Sequence, residues 1–150
     1  MLDGCPDTFD FPQLRLELIE DEGNKPAPYK DTVGKLTIGI GHNLSDLGLS
    51  PAAIEFIFKE DVARYCRDLD NNIPWWRLMP QRQQRVMLNL CFNLGWGRLS
   101  QFRLFLAAMQ NARWAAAAGE LVNSRWFGQV GLRGPRMIKR LTAPVANGGA

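Results

Sequence analysis

The stretch from residue 25 to residue 49 constrains the fold most. Pro26, Pro28, Gly34, Gly39, Gly41 and Gly48 interrupt any helix there, while the flanking segments carry helical spacing. Tyr29 to Thr32 and Lys35 to Gly41 read as short strands around a turn at Val33-Gly34. In KLTIGIG, alternation puts Leu36, Ile38 and Ile40 on one face and Thr37, Gly39 and Gly41 on the other. The aliphatic face is expected to pack. The opposite face is nearly bare, with one hydroxyl on it, and its glycines allow a ligand or a packed neighbour to approach the backbone closely.

Helices are expected on both sides. Gln13 to Glu22 carries Leu14 and Leu18 on one stripe and stops at Gly23-Asn24, after an irregular leader of residues 1–12. Ser50-Pro51 is a cap followed by a helix-starting proline, and the pattern runs to about Leu69. The segment 81–94, QRQQRVMLNLCFNL, is apolar around most of its circumference and therefore central. Further helices are expected from Ser100 to Met109, from Ala112 to Asn123 and from Arg133 to Leu141. A break falls at Ser124–Trp126, and residues 143–150 form a frayed tail. The whole is an α+β single domain of residues 1–150, with a small strand-bearing lobe (24–48), a larger helical body (50–142) and a cleft between them.

Composition narrows the function classes. With 46% hydrophobic and 22% charged residues, 150 residues can bury a core. There is no apolar run of membrane-spanning length and no signal-like N-terminal segment, so the expected site of synthesis is a cytoplasm. Cys5, Cys66, Cys91 and the lone His42 have no metal-ligand spacing; no cofactor and no metal are implied. Charge is uneven: residues 1–97 carry net −4 and residues 98–150 net +7, with seven arginines among eight bases. A polyanionic partner fits that half. No nucleic-acid motif accompanies it, so nucleic acid is not an expected partner.

Three polar residues converge on the strand region. Glu22 ends the first helix, Asp31 lies in the first strand or its turn, and Thr37 stands on the glycine face. Two carboxylates flanking a substrate suit glycosidic hydrolysis: one protonates the leaving oxygen, the other stays ionised. Glu22 is the better acid, because the negative end of a helix disfavours its anion and partial burial adds to that. Asp31 and Thr37 can hold one water between them. That arrangement implies inversion, with the carboxyls about 6.5–9.5 Å apart.

The string EGNKPAPYKDTVGKLTIGIGHNL resembles the signature of phage-type lysozymes of glycoside hydrolase family 24, the T-even phage lysozyme group. Glu22-Gly23, Tyr29-Lys30-Asp31-Thr32, Gly34 and Thr37 to His42 carry it. Asp61-Val62, Asn89, Phe92, Gly95, Phe102, Arg113-Trp114, Ser124-Arg125-Trp126, Gln129, Arg133 and Arg136 follow in order. The resemblance implies a lysozyme-like fold and a monomeric endolysin without cofactor. Such an enzyme hydrolyses the β-1,4 bond between N-acetylmuramic acid and N-acetylglucosamine in peptidoglycan and lyses the host after release from its cytoplasm. It places catalysis on Glu22, Asp31 and Thr37. It pairs Arg133 with Asp21 or Glu22 and His42 with Asp61, and it puts Asn43, Phe92 and Asn93 at the substrate. Asn at 93 and Glu at 120 depart from the family pattern. The alternative is a cationic protein that disrupts anionic outer-membrane lipid through the basic C-terminal helix, RGPRMIKR.

Overall fold

Residue chemistry sets the element boundaries of the computed structural model, which describes residues 9–144. The first helix, α1 (Phe11–Glu22), starts earlier than the expected Gln13. Asp10 is the reason: its Oδ1 accepts the Gln13 N–H at 3.0 Å, and Pro12 fits the first turn, where no N–H is needed. The expected leader therefore shrinks, and its residues 1–8 lie outside the described residues. Gly23, at φ +79, ends the helix and donates its N–H to Ile19 O at 2.9 Å.

Strands β1 (Lys25–Lys30), β2 (Leu36–Gly39) and β3 (His42–Asn43) form one antiparallel sheet in the order β1-β2-β3. β1 lies earlier than the expected Tyr29–Thr32. It is an edge strand with an irregular register between Lys25 and Tyr29, which accommodates Pro26 and Pro28, both without N–H donors. Tyr29 pairs with Thr37, and Thr37 with Asn43. The facing expectation is corrected: Leu36 is 42% exposed, whereas Thr37 is 3% exposed. A short helix, α2 (Leu44–Leu47), follows, and Ser50 Oγ caps α3 (Pro51–Asn72) by accepting the Ala53 N–H.

The chain divides into two compact units, residues 1–55 and 56–150. The hydrophobic core lies in the second. It comprises a 3-10 turn (Pro74–Leu78), α4 (Gln81–Leu94), α5 (Trp96–Leu99), α6 (Arg103–Gln110), α7 (Trp114–Val122), α8 (Arg125–Gln129) and α9 (Arg133–Thr142), with the rest of α3. Leu69, Met87, Leu90, Phe105, Leu121 and Met137 are fully buried in that core. Trp76 and Trp126 are buried too, and Trp75, Trp96 and Trp114 pack against the core.

Two boundaries differ from the sequence reading. Ser100 ends α5, its Oγ donating to Gly97 O, so α6 begins only at Arg103. Ser124 is a cap, not a break: its Oγ accepts the Phe127 N–H at 3.3 Å and starts α8. Of the expected tail, only Ala143 and Pro144 are described, and their carbonyls accept from Arg82 Nη1. No helix among the described residues is long and apolar enough to cross a membrane.

After α3, the chain is turned by a three-residue knot. Asp70 Oδ1 accepts from Trp76 Nε1 at 2.7 Å and from Arg77 Nε at 2.8 Å, while Oδ2 accepts from Arg77 Nη2 at 3.0 Å. These bonds, the Arg77 pair first, hold the Asp70 carboxyl down at about 2. A depressed carboxyl stabilises the fold above its unfolded value and loses that contribution as pH falls through its folded value. The melting-temperature gap between wild type and Asp70→Asn is therefore expected to be constant from pH 7 to about 5 and to shrink between about 4 and 2. Packing sets a second expectation. A Cβ on Gly134 would lie 2.8 Å from the Phe127 ring. Gly134→Ala should then cost about 1–3 kcal/mol in urea unfolding through overpacking.

Candidate active site

In the first unit the site is built around the backbone of Lys35. Asp31 follows β1 directly. Its Oδ1 accepts the N–H of Val33 at 3.0 Å and of Lys35 at 2.7 Å. The Asp31 N–H donates to Lys35 O at 2.9 Å, and the Gly34 N–H donates to Asp31 O at 3.0 Å, closing the turn. Aspartate suits this place because its short carboxylate reaches backbone donors two and four residues on. Thr37 Oγ1 donates to the same Lys35 O at 3.1 Å. The backbone of Lys35 thus links Asp31 to Thr37. Among the described residues no hydrogen bond reaches Asp31 Oδ2, and the half-buried residue keeps that oxygen for another donor.

Glu22, the last residue of α1, rests against the turn between β2 and β3. An added Cβ on Gly41 would lie 3.0 Å from Glu22 Cγ and 3.2 Å from its Oε2. Of the two options left open for the glycine face, a packed neighbour is the one found at Gly41, and the neighbour is the candidate acid. Gly41 also has φ +65, a conformation that a side chain disfavours. Glu22 is exposed rather than partly buried, and so is Asp21.

The remaining residues have definite partners. His42 Nε2 lies 2.6 Å from Gly48 O; because a carbonyl only accepts, Nε2 carries the proton. Asp61, on α3, has Arg64 as its ion-pair partner at 3.8 Å. Asn43 caps α2: Oδ1 accepts the Asp46 N–H at 3.0 Å, and Nδ2 donates to Asp46 Oδ2 at 2.9 Å.

In the second unit Asn93 Oδ1 accepts from Trp126 Nε1 at 2.7 Å. Arg133 Nη2 donates to Asn89 Oδ1 at 2.7 Å. Arg133, Asn89 and Phe92 line one pocket of about 350 Å³, where the Phe92 ring is tilted against Tyr65 at 5.1 Å. Sequence reasoning gave Asn89 no role; an amide within the apolar run from Val86 to Phe92 was the available signal. A larger groove beside α4 and α9, about 740 Å³, is lined by Arg82, Arg85, Arg136, Lys139 and Arg140. The apolar side of α9, with Met137 and Leu141, is buried in the core, which leaves its cations outward. Among the described residues no three His, Cys, Asp or Glu side chains gather as a metal site.

The α+β architecture is lysozyme-like, and the family match makes the chain a glycosidase of lysozyme type. Residues 19–143 match the phage lysozyme family model, and the chain belongs to that family. It is 26% identical to probable T4-type lysozyme 1 of Dictyostelium discoideum, over 85% of this chain and 92% of the relative. It is 27% identical to probable T4-type lysozyme 2 of the same organism, over 83% and 91%. It is also 26% identical to the pre-baseplate central spike protein Gp5 of Enterobacteria phage T4, over 87% of this chain and 28% of that protein.

Gly41 provides a direct check of the Glu22 contact. Gly41→Ala should destabilise the protein by about 1–2 kcal/mol through its left-handed backbone. By displacing Glu22 it should also lower the turnover of cell-wall substrate by ~10–100-fold. Thermal melting and steady-state kinetics on one preparation separate the two effects.

Proposed function

We propose that this lysozyme hydrolyses the β-1,4 bond between N-acetylmuramic acid and N-acetylglucosamine in bacterial peptidoglycan, with inversion at the anomeric carbon. The observation that carries the reading is the backbone of Lys35, whose N–H and carbonyl hold Asp31 and Thr37 in one hydrogen-bonded group. Asp31 Oδ2 takes a proton from the attacking water. Thr37 Oγ1, whose own hydrogen is committed to Lys35 O, accepts the water's other hydrogen and fixes its position. Glu22 gives its proton to the glycosidic oxygen as the bond to the departing sugar breaks. Afterwards Asp31 holds the proton and Glu22 is ionised; exchange with solvent resets both. Attack opposite the leaving group gives the inverted product. The cellular result in this reading is lysis of a host bacterium, by an enzyme made in the cytoplasm that reaches the wall after release.

Purified, membrane-free peptidoglycan tests it. Wild type should release reducing ends, and Glu22→Gln should lower kcat by about 10²–10⁴-fold with little change in thermal stability. Proton NMR of the earliest product should show the α-anomer. A Glu22→Gln variant with wild-type turnover would overturn the assignment of the acid, and a first-formed β-anomer would overturn inversion.

A further inference from the structure

The peptide group between Lys35 and Leu36 is held from both ends. Its carbonyl, on Lys35, accepts from the Asp31 N–H at 2.9 Å and from Thr37 Oγ1 at 3.1 Å. Its N–H, on Leu36, donates to Ser45 Oγ at 2.8 Å. A peptide unit is a rigid plane whose N–H and C=O point opposite ways, so whatever fixes the N–H also aims the carbonyl. β3 ends at Asn43, opposite Thr37, and the chain turns into α2 before a strand residue can stand opposite Leu36. The Ser45 hydroxyl takes the acceptor place that a longer strand would fill. Ser45 is itself pinned through its neighbour in α2. The Asp46 carboxylate receives Asn43 Nδ2 at 2.9 Å and Lys35 Nζ at 2.8 Å, and the Asp46 N–H donates to Asn43 Oδ1 at 3.0 Å. Donation by the Leu36 N–H also polarises the carbonyl of the same peptide and makes it a better acceptor. Thr37 is buried, and Lys35 O is the acceptor for its hydroxyl. A carbonyl turned away would send that hydrogen to another acceptor.

We propose that Ser45 is a positioning residue for the hydrolytic step. Acting through the Lys35–Leu36 peptide, it keeps the Thr37 hydrogen on Lys35 O and so leaves the lone pairs of Thr37 Oγ1 to the attacking water. The inference rests on the reading that this enzyme hydrolyses peptidoglycan with water held by Asp31 and Thr37. Ser45 acts at one remove from that water.

Turnover of purified peptidoglycan, measured well below the melting temperature of every variant, tests it. Ser45→Ala should lower kcat roughly three- to tenfold with KM unchanged. Ser45→Thr, which keeps the hydroxyl, should restore it. Ser50→Ala removes a comparable serine bond, the one from the Ala53 N–H at 3.2 Å that caps α3. It should lower the melting temperature and leave kcat as in wild type. A double-mutant cycle reads the route. In a Thr37→Val background, which has no hydroxyl to orient, Ser45→Ala should lower kcat by less than about twofold more. Four results each overturn the positioning role and leave the glycosidase reading intact: wild-type kcat in Ser45→Ala, a loss that Ser45→Thr does not restore, an equal loss in Ser50→Ala, or full additivity with Thr37→Val. A wild type that releases no reducing ends overturns the peptidoglycan reading, and this inference with it.

Discussion

The backbone of a single residue, Lys35, holds the chemistry of the strand-bearing unit. The N–H of Lys35 binds the Asp31 carboxylate, and its carbonyl accepts from both the Asp31 backbone and the Thr37 hydroxyl. Backbone hydrogen bonds to a charged acceptor are short and directional, so this cluster is held more firmly than side-chain packing alone would hold it. The Lys35 side chain is elsewhere, on Asp46 at 2.8 Å, in an exposed pair worth at most about 1 kcal/mol. Position 35 therefore matters through its backbone. Leu36 N–H, bound to Ser45 Oγ at 2.8 Å, ties the same strand to α2.

In the helical unit, polar side chains of α4 play a comparable part. Gln83, buried at 4% exposure, donates to Leu141 O at 3.2 Å. Asn89 receives Arg133, and Asn93 receives the Trp126 indole. Each bond reaches from one central helix to the last third of the chain. Buried polar groups need such partners, and a central helix with amides at those positions selects which segments dock on it.

Much of this was legible in the sequence. The turn at Val33-Gly34, the placement of Glu22 at a helix end and the span of α4 all follow from local residue chemistry. The facing of β2 did not follow. Alternation says which residues share a face, but in a small sheet Leu36 is left exposed and Thr37 is buried. The hydrogen bonds of His42, Asn43 and Asn93 were also illegible. Gly48 O, Asp46 and Trp126 are ordinary residues, singled out as partners only once turns and helix packing are formed. Ser100 and Ser124 show the same limit: one serine ends a helix, the other starts one, and composition alone does not separate them.

The bonds that fasten α4 to the end of α9 have a temporal consequence. Arg82 and its carbonyl partners Ala143 and Pro144 are separated by 61 and 62 residues. Met137 and Leu141, deep in the core, arrive equally late. Closing so long a stretch of chain is slow compared with forming any one helix. During synthesis α4 must wait for most of the chain that follows it before its own buried face is covered. The helical unit is therefore finished as a whole rather than piece by piece, and a growing chain acquires its complete core only when translation has passed α9.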